Sequence, residues 1–192
     1  FPVTANGTLG NPQMIGMPQG LGIADPSAVK VVEMAGMTYL VVASAISSSV
    51  SVIGIAPNGG LNVADHVIDT LDTRFQGVQA LATAKIGDRV FVIAGGGDEG
   101  LTVMTLTPEG RLLTVGQILQ QPGLALDNIT AMTAQVTGGK IDLFVTGEGT
   151  GITRLQIDPG SLSPIQIGGG AATLLGTTSA DMILGGEGAE VL

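Results

Sequence analysis

The side chains with the most explicit chemical capacity in this chain are carboxylates set among glycines. Asp181 and Glu190 stand nine residues apart, in a stretch that also carries Gly185, Gly186 and Gly188. Gly176 and Gly185, Ala180 and Ala189, and Ile183 and Leu192 keep the same nine-residue phase. Glycines allow tight turns and close backbone approach, so carbonyl oxygens stay free, and each carboxylate adds a hard oxygen ligand.

Other groups invite chemistry and read as bland. Asp25, Asp72 and Asp127 fall in stretches between the repeated units described below, where carboxylates can line a channel but more often form turns. Asp98-Glu99 sits in a glycine-rich loop whose counterparts are Ser-rich or read Gly147-Glu148-Gly149, a variation that suits a solvated loop. His66 is the one histidine, expected exposed on an outer strand. Ser47-Ser48-Ser49 has no base placed by any motif, so no serine nucleophile is supported. Gly95-Gly96-Gly97 is not a phosphate cradle, because a strand and not a helix is expected after it. Lys30, Lys85 and Lys140 occur once per unit and read as solvated. No catalytic residue is predicted.

Composition removes whole classes of function. The 192 residues hold 7 Lys+Arg against 16 Asp+Glu, a net charge of −9, which excludes a basic groove for nucleic acid. The absence of Cys excludes disulfides, thiolate nucleophiles and Cys-based metal centres. No apolar run approaches the roughly 18 residues of a membrane helix. High Gly, few Lys and strong acidity suit a bacterial extracellular protein.

The elements that must position these groups follow from an internal repeat. Tyr39-Leu40-Val41-Val42-Ala43-Ser44 corresponds to Val90-Phe91-Val92-Ile93-Ala94-Gly95 and to Asp142-Leu143-Phe144-Val145-Thr146-Gly147. Pro57, Pro108 and Pro159 are each 51 apart and open proline–glycine turns. Leu61, Leu112 and Leu162 then open the next strand. Three copies span about 25–69, 78–120 and 129–167, and Asn6-Gly7-Thr8-Leu9 matches the closing hairpin of an earlier copy. Each copy predicts four strands, in the second about Val78–Lys85, Arg89–Ala94, Leu101–Thr107 and Arg111–Leu119. Short apolar runs joined by Gly-containing links read as an antiparallel meander. A repeating four-strand unit of this length is one propeller blade, and it repeats too regularly for a sandwich and is too long for a solenoid coil.

The stretch from Gly185 to Glu190 resembles the RTX (repeats-in-toxin) unit Gly-Gly-x-Gly-x-Asp-x-aliphatic-x, with Glu190 in place of the usual Asp. The blades look like the propeller repeats of large secreted RTX-type proteins. The fold expected is thus all-β: about three four-stranded antiparallel β-propeller blades plus a leading hairpin over 1–167, then a glycine hinge and the start of an RTX-like β-roll over 168–192. The resemblance implies Ca2+ held by Asp181, Gly185, Gly186, Gly188 and Glu190, with ligands drawn from successive turns because calcium takes about 6–8 oxygens, export by a type I secretion system, and repeats that order when they meet millimolar external calcium. The function expected is a non-enzymatic extracellular scaffold or binding module. The alternatives are a calcium-dependent, lactonase-like propeller hydrolase with a channel metal on Asp72 and Asp127, and a structural subunit of a cell-surface assembly. Three blades do not close a ring, so the partners expected are further blades of the same polypeptide or of a second chain, including a homo-oligomer.

Overall fold

A computed structural model describes residues 5–8, 12–149, 151–160, 163–166 and 181–184. The chain is all-β, and three antiparallel sheets follow one another along it. Sheet 1 is β1 (Pro26–Met34), β2 (Met37–Ser44), β3 (Ser49–Ile55) and β4 (Leu61–Ile68), paired in sequence order. Sheet 2 repeats that meander with β5 (Ala80–Ile86), β6 (Arg89–Gly95), β7 (Gly100–Leu106) and β8 (Leu112–Leu119). The four strands expected of the second copy are met to within two residues at each end. Sheet 3 holds three strands, β9 (Ala131–Thr137), β10 (Lys140–Thr146) and β11 (Thr153–Ile157). β12 (Ser163–Gln166) pairs parallel with β13 (Asp181–Leu184) and so does not supply a fourth strand to sheet 3. The described sheets do not close into a ring. Two compact units divide the chain, Phe1–Gln156 and Ile157–Leu192.

Each strand begins where its turn chemistry allows. β1 and β2 meet through Ala35 and Gly36, β5 and β6 through Gly87, and β9 and β10 through Gly138 and Gly139, all with positive φ. Such turns carry left-handed backbone that glycine accepts without a Cβ clash. β3 and β4 pair with a shift between Val52 and Ile53, and β7 and β8 between Val103 and Met104, 51 residues on. The bulge is thus a repeated feature that twists the outermost strand.

Burial explains why the apolar runs do not alternate. Every residue of β7, and every residue of β6 after Arg89, is buried. Sheet 2 has a sheet against each face, and a strand covered on both faces needs apolar residues at every position. Val32, Tyr39, Val41 and Val52 of sheet 1 pack with Leu81, Val92, Met104 and Leu106 of sheet 2 in one cluster. The other face of sheet 2 meets sheet 3, with β5 against β9. Between sheets, the closest packing runs along the first strands, β1 on β5 and β5 on β9.

The segments between sheets, residues 69–79 and 120–130, belong to this core. Phe75 and Val78 are fully buried, as are Leu126 and Ile129, each 51 residues further on. Within three residues of the start of each sheet stands a residue with left-handed backbone: Asp25 before sheet 1, Gly77 before sheet 2 and Asn128 before sheet 3. Asp, Gly and Asn are the residues that tolerate this conformation best.

Candidate functional site

An antiparallel meander sends its connections alternately to two ends. At one end lie the tight turns after the first and third strands. At the other lie the hairpin loops 45–48 and 96–99, the loop residues 147–149 and 151–152, and the links 69–79 and 120–130. Long connections on a rigid sheet are where binding groups usually sit, so this end is the candidate site.

The long connections form one layer. The Ala45, Gly97 and Glu148 N–H groups donate to the carbonyls of Asp25, Gln76 and Asp127 at 2.9, 2.7 and 2.8 Å. Those three acceptors are spaced by 51, so each hairpin loop is pinned to the link before it. Two further bonds pin loops to the link after: Gly77 N–H to Ser48 Oγ at 3.0 Å, and Ile129 N–H to the Gly96 carbonyl at 2.7 Å. Beneath the layer, Thr102 and Thr153 hydroxyls accept the Arg74 and Ala125 N–H groups at 2.6 and 2.7 Å. These buried hydroxyls satisfy link donors that would otherwise be orphaned.

Two clefts open at equivalent places in this layer. One, of about 280 Å³, lies between Gly123–Ala125, Asp127, Glu148, Gly149 and Gly151–Thr153. The other, of about 510 Å³, is lined by Arg74, Gly97, Asp98, Glu99, Leu119 and Gln120. The layer as a whole is acidic: Asp25, Asp69, Asp72, Asp98, Glu99, Asp127 and Glu148 stand against Arg74 alone among the connections described. At the tight-turn end Asp88 and Glu109 sit beside Arg89 and Arg111, so the charge there is mixed.

The singled-out residues take the following places. Asp25, Asp72 and Asp127 are all exposed, and only Asp25 and Asp127 keep the 51-residue register through Gln76. Their roles in the links are backbone ones: Asp25 takes the left-handed turn, the Asp127 carbonyl holds Glu148, and the Asp72 carbonyl accepts Gln117 Nε2. Asp98 Oδ2 accepts the Gln76 N–H at 3.3 Å. Among the described residues, no group of three or more His, Asp or Glu side chains comes together in a way that could hold a metal ion. Asp181 opens β13 opposite Ser163, while Gly185, Gly186, Gly188 and Glu190 lie outside the described residues.

His66 is half-buried, not exposed, and its Nδ1 lies 2.8 Å from Ser51 Oγ. This pair is no nucleophile and base. Ser51 is fully buried, and the adjacent Asp65 carboxylate is taken up by backbone, Oδ1 by the His66 N–H at 2.9 Å and Oδ2 by the Leu112 N–H at 2.7 Å. Ser47 Oγ bonds Ser49 Oγ at 2.8 Å and accepts the Ala24 N–H at 3.4 Å, so it is likewise spent on structural contacts. β7 follows Gly95-Gly96-Gly97, as expected, so no helix dipole is present for a phosphate. Lys85 is exposed and its Nζ donates to the Glu33 carbonyl across sheets at 3.4 Å.

Three polar contacts escaped sequence reasoning because each joins residues that only the pairing or stacking of sheets brings together. Asp65 ties sheet 1 to Leu112 of sheet 2. The Tyr39 hydroxyl donates to the Pro108 carbonyl at 2.8 Å, and burial, then the Glu109 carboxylate, push its pKa above the ordinary phenol value. On sheet 3, Arg154 Nη2 bonds Asp142 Oδ1 at 2.8 Å. The hydrogen bond from Arg154, with others from Thr137 and Gln156, holds the Asp142 carboxyl below the ordinary carboxylate range against the opposing effect of burial. The repeated hydroxyl at 102 and 153 did carry a signal, since Thr recurs there at the repeat spacing.

Among the described residues, no helix is long and apolar enough to cross a membrane. No protein-family model matches the chain, and no curated protein matches it.

Proposed function

We propose that this chain is a non-enzymatic scaffold or binding module of an extracellular, RTX-type calcium-binding protein, with its sheets as consecutive β-propeller blades and its long-loop end as the binding face. The observation that carries this reading is the continuous acidic layer of loops and links, pinned by repeated backbone bonds to three packed sheets. The packing of sheets along their first strands supports the blade assignment, since blades converge on their innermost strands. A rigid face of one sign attracts a cationic partner and speeds its encounter.

An octalysine peptide tests this face. Binding is expected at low salt and should weaken at least about fivefold when Asp98→Asn, Glu99→Gln and Glu148→Gln are combined, because the attraction acts within a Debye length of about 10 Å at 0.1 M salt. The same charge change at the other end, Glu33→Gln with Asp88→Asn and Glu109→Gln, should leave affinity within about twofold. Equal loss from both triple variants would show a response to net charge alone and remove the binding face.

The calcium reading rests on the nine-residue phase around Asp181 and Glu190, and the parallel pairing of β12 with β13 supports it, because a β-roll is built from parallel strands. Millimolar calcium is expected to raise a thermal transition of the chain, recorded by circular dichroism, and Asp181→Asn with Glu190→Gln is expected to abolish the rise. A melting curve unchanged by calcium would sink the calcium reading.

A further inference from the structure

The two ends of the sheet stack are built differently. Val29, Leu81 and Met132 are successive equivalents on the first strands of the three sheets, and each pairs with the equivalent residue of the second strand, Val42, Ala94 and Val145. Leu81 is 2 % exposed beneath sheet 1, and Met132 is 8 % exposed on β9, which packs on β5. Val29 is 59 % exposed and Val31, two residues on, 64 %. The segment before β1 covers the outer region of this face through Leu21, against Val42 and Ile53, and leaves the β1 strip open.

The opposite end reads otherwise. The place held by Tyr39 in sheet 1 and Phe91 in sheet 2, both buried, is held in sheet 3 by Asp142. Its cross-strand partner there is Gln135, where sheets 1 and 2 have Val32 and Ala84. Arg154, at the place of Val103, neutralises Asp142 from the same face.

We infer that the two ends of the stack differ: the Val29–Val31 strip is a docking surface for one further four-stranded sheet of this same repeat type, and the polar outer face of sheet 3 is not the kind of face that covers it. This rests on reading the sheets as blades. The occupant must present an apolar trailing face like those of sheets 1 and 2, with an aromatic ring at the Tyr39 place, because those are the faces that cover Leu81 and Met132. A second copy docking head to tail does not fit. It would lay the Asp142–Arg154 ion pair and Gln135 against two valines, taking the exposed Arg154 guanidinium out of water with no new partner on the strip. The strip is continuous in register with two interfaces already formed, and this identifies its occupant.

The chain has no Cys, so Val29→Cys is a unique thiol. The probe is a tandem duplication of Pro26–Gln79 placed directly before Pro26, with the cysteine in the original copy. Labelling of Val29→Cys should be fast in the parent chain and at least about tenfold slower in the duplicated one, where the thiol reacts only through local opening. A cysteine at Leu71, which is 93 % exposed, should label at one rate in both. Parent-rate labelling of Val29→Cys in the duplicated chain overturns the inference, whether the added sheet folds elsewhere or stays unfolded by circular dichroism. Slowing that rises with the parent's own concentration, matched by a dimer in sedimentation, also overturns it, since a second copy would then hold the strip. Octalysine binding by the parent chain is unaffected by either failure, so the binding-face reading is tested separately.

Discussion

Phe75→Ala is expected to lower the stability of the sheet stack by about 3–5 kcal/mol, the range for truncating a fully buried aromatic ring. Phe75 is 0 % exposed and lies in a link, not in a strand. Its ring packs in the cluster shared by sheets 1 and 2, beside Val78 and the facing residues of both. The link cannot collapse to fill the hole, because its backbone is tied on several sides. The Phe75 N–H donates to Asp69 Oδ1 at 3.1 Å, the Arg74 N–H to Thr102 Oγ1, and the Gln76 carbonyl accepts Gly97. A cavity that cannot relax sits at the costly end of the range. Urea denaturation followed by circular dichroism measures the loss, and Tyr39, the only tyrosine and a member of the same cluster, reports it by fluorescence. Leu71→Ala, in the same link but exposed, should change stability by less than about 0.5 kcal/mol. A loss below about 1 kcal/mol for Phe75→Ala would mean that the links do not belong to the core.

The importance of Phe75 shows what the sequence made legible and what it left out. The period of 51 was readable because each unit repeats the burial of its strands, and a strand covered on both faces writes an unbroken apolar run. The strands of the second copy accordingly fall where their runs and turns place them. The third copy departs at its fourth strand. Leu162 keeps the register, but the preceding Pro159-Gly160 turn is one residue shorter than its counterparts, and Pro164 removes a ladder donor from the strand that follows. β12 pairs with β13 instead. Spacing alone also grouped Asp25, Asp72 and Asp127 as carboxylates in links. Their fates were set by backbone geometry, a left-handed turn at one and carbonyl bonds at the others, which residue type does not reveal. Asp65 and Asp142 went unnoticed for the converse reason, since the partners of Asp65 include a residue 47 positions away on another sheet.

The glycines of the loop layer illustrate the same limit, and Gly96→Ala carries the second large effect. A Cβ at Gly96 would lie 2.6 Å from the Gln76 carbonyl oxygen, 2.6 Å from Val78 Cα and 2.7 Å from the Gly77 oxygen. All three are backbone atoms, so no side chain can swing aside. The link cannot retreat either, because Gly97 donates to that same Gln76 carbonyl while the Gly96 carbonyl accepts Ile129 from the next link. A single methyl group would therefore have to push the 69–79 link away from a loop that the 120–130 link also holds in place, at an expected cost of about 3 kcal/mol, the upper end of the range for overpacking. Gly147, 51 residues on, meets the Asp127 and Ala125 carbonyls in the same way, so Gly147→Ala should behave alike. Gly116, on β8, has open space at its Cβ position, and Gly116→Ala should stay within about 0.5 kcal/mol of the parent. Thermal and urea unfolding of the three variants make the comparison, and octalysine binding adds a readout specific to the face. If Gly96→Ala folds with parental stability, the links do not press on the hairpin loops. The acidic layer would then be a set of independent loops with no common surface to offer a partner.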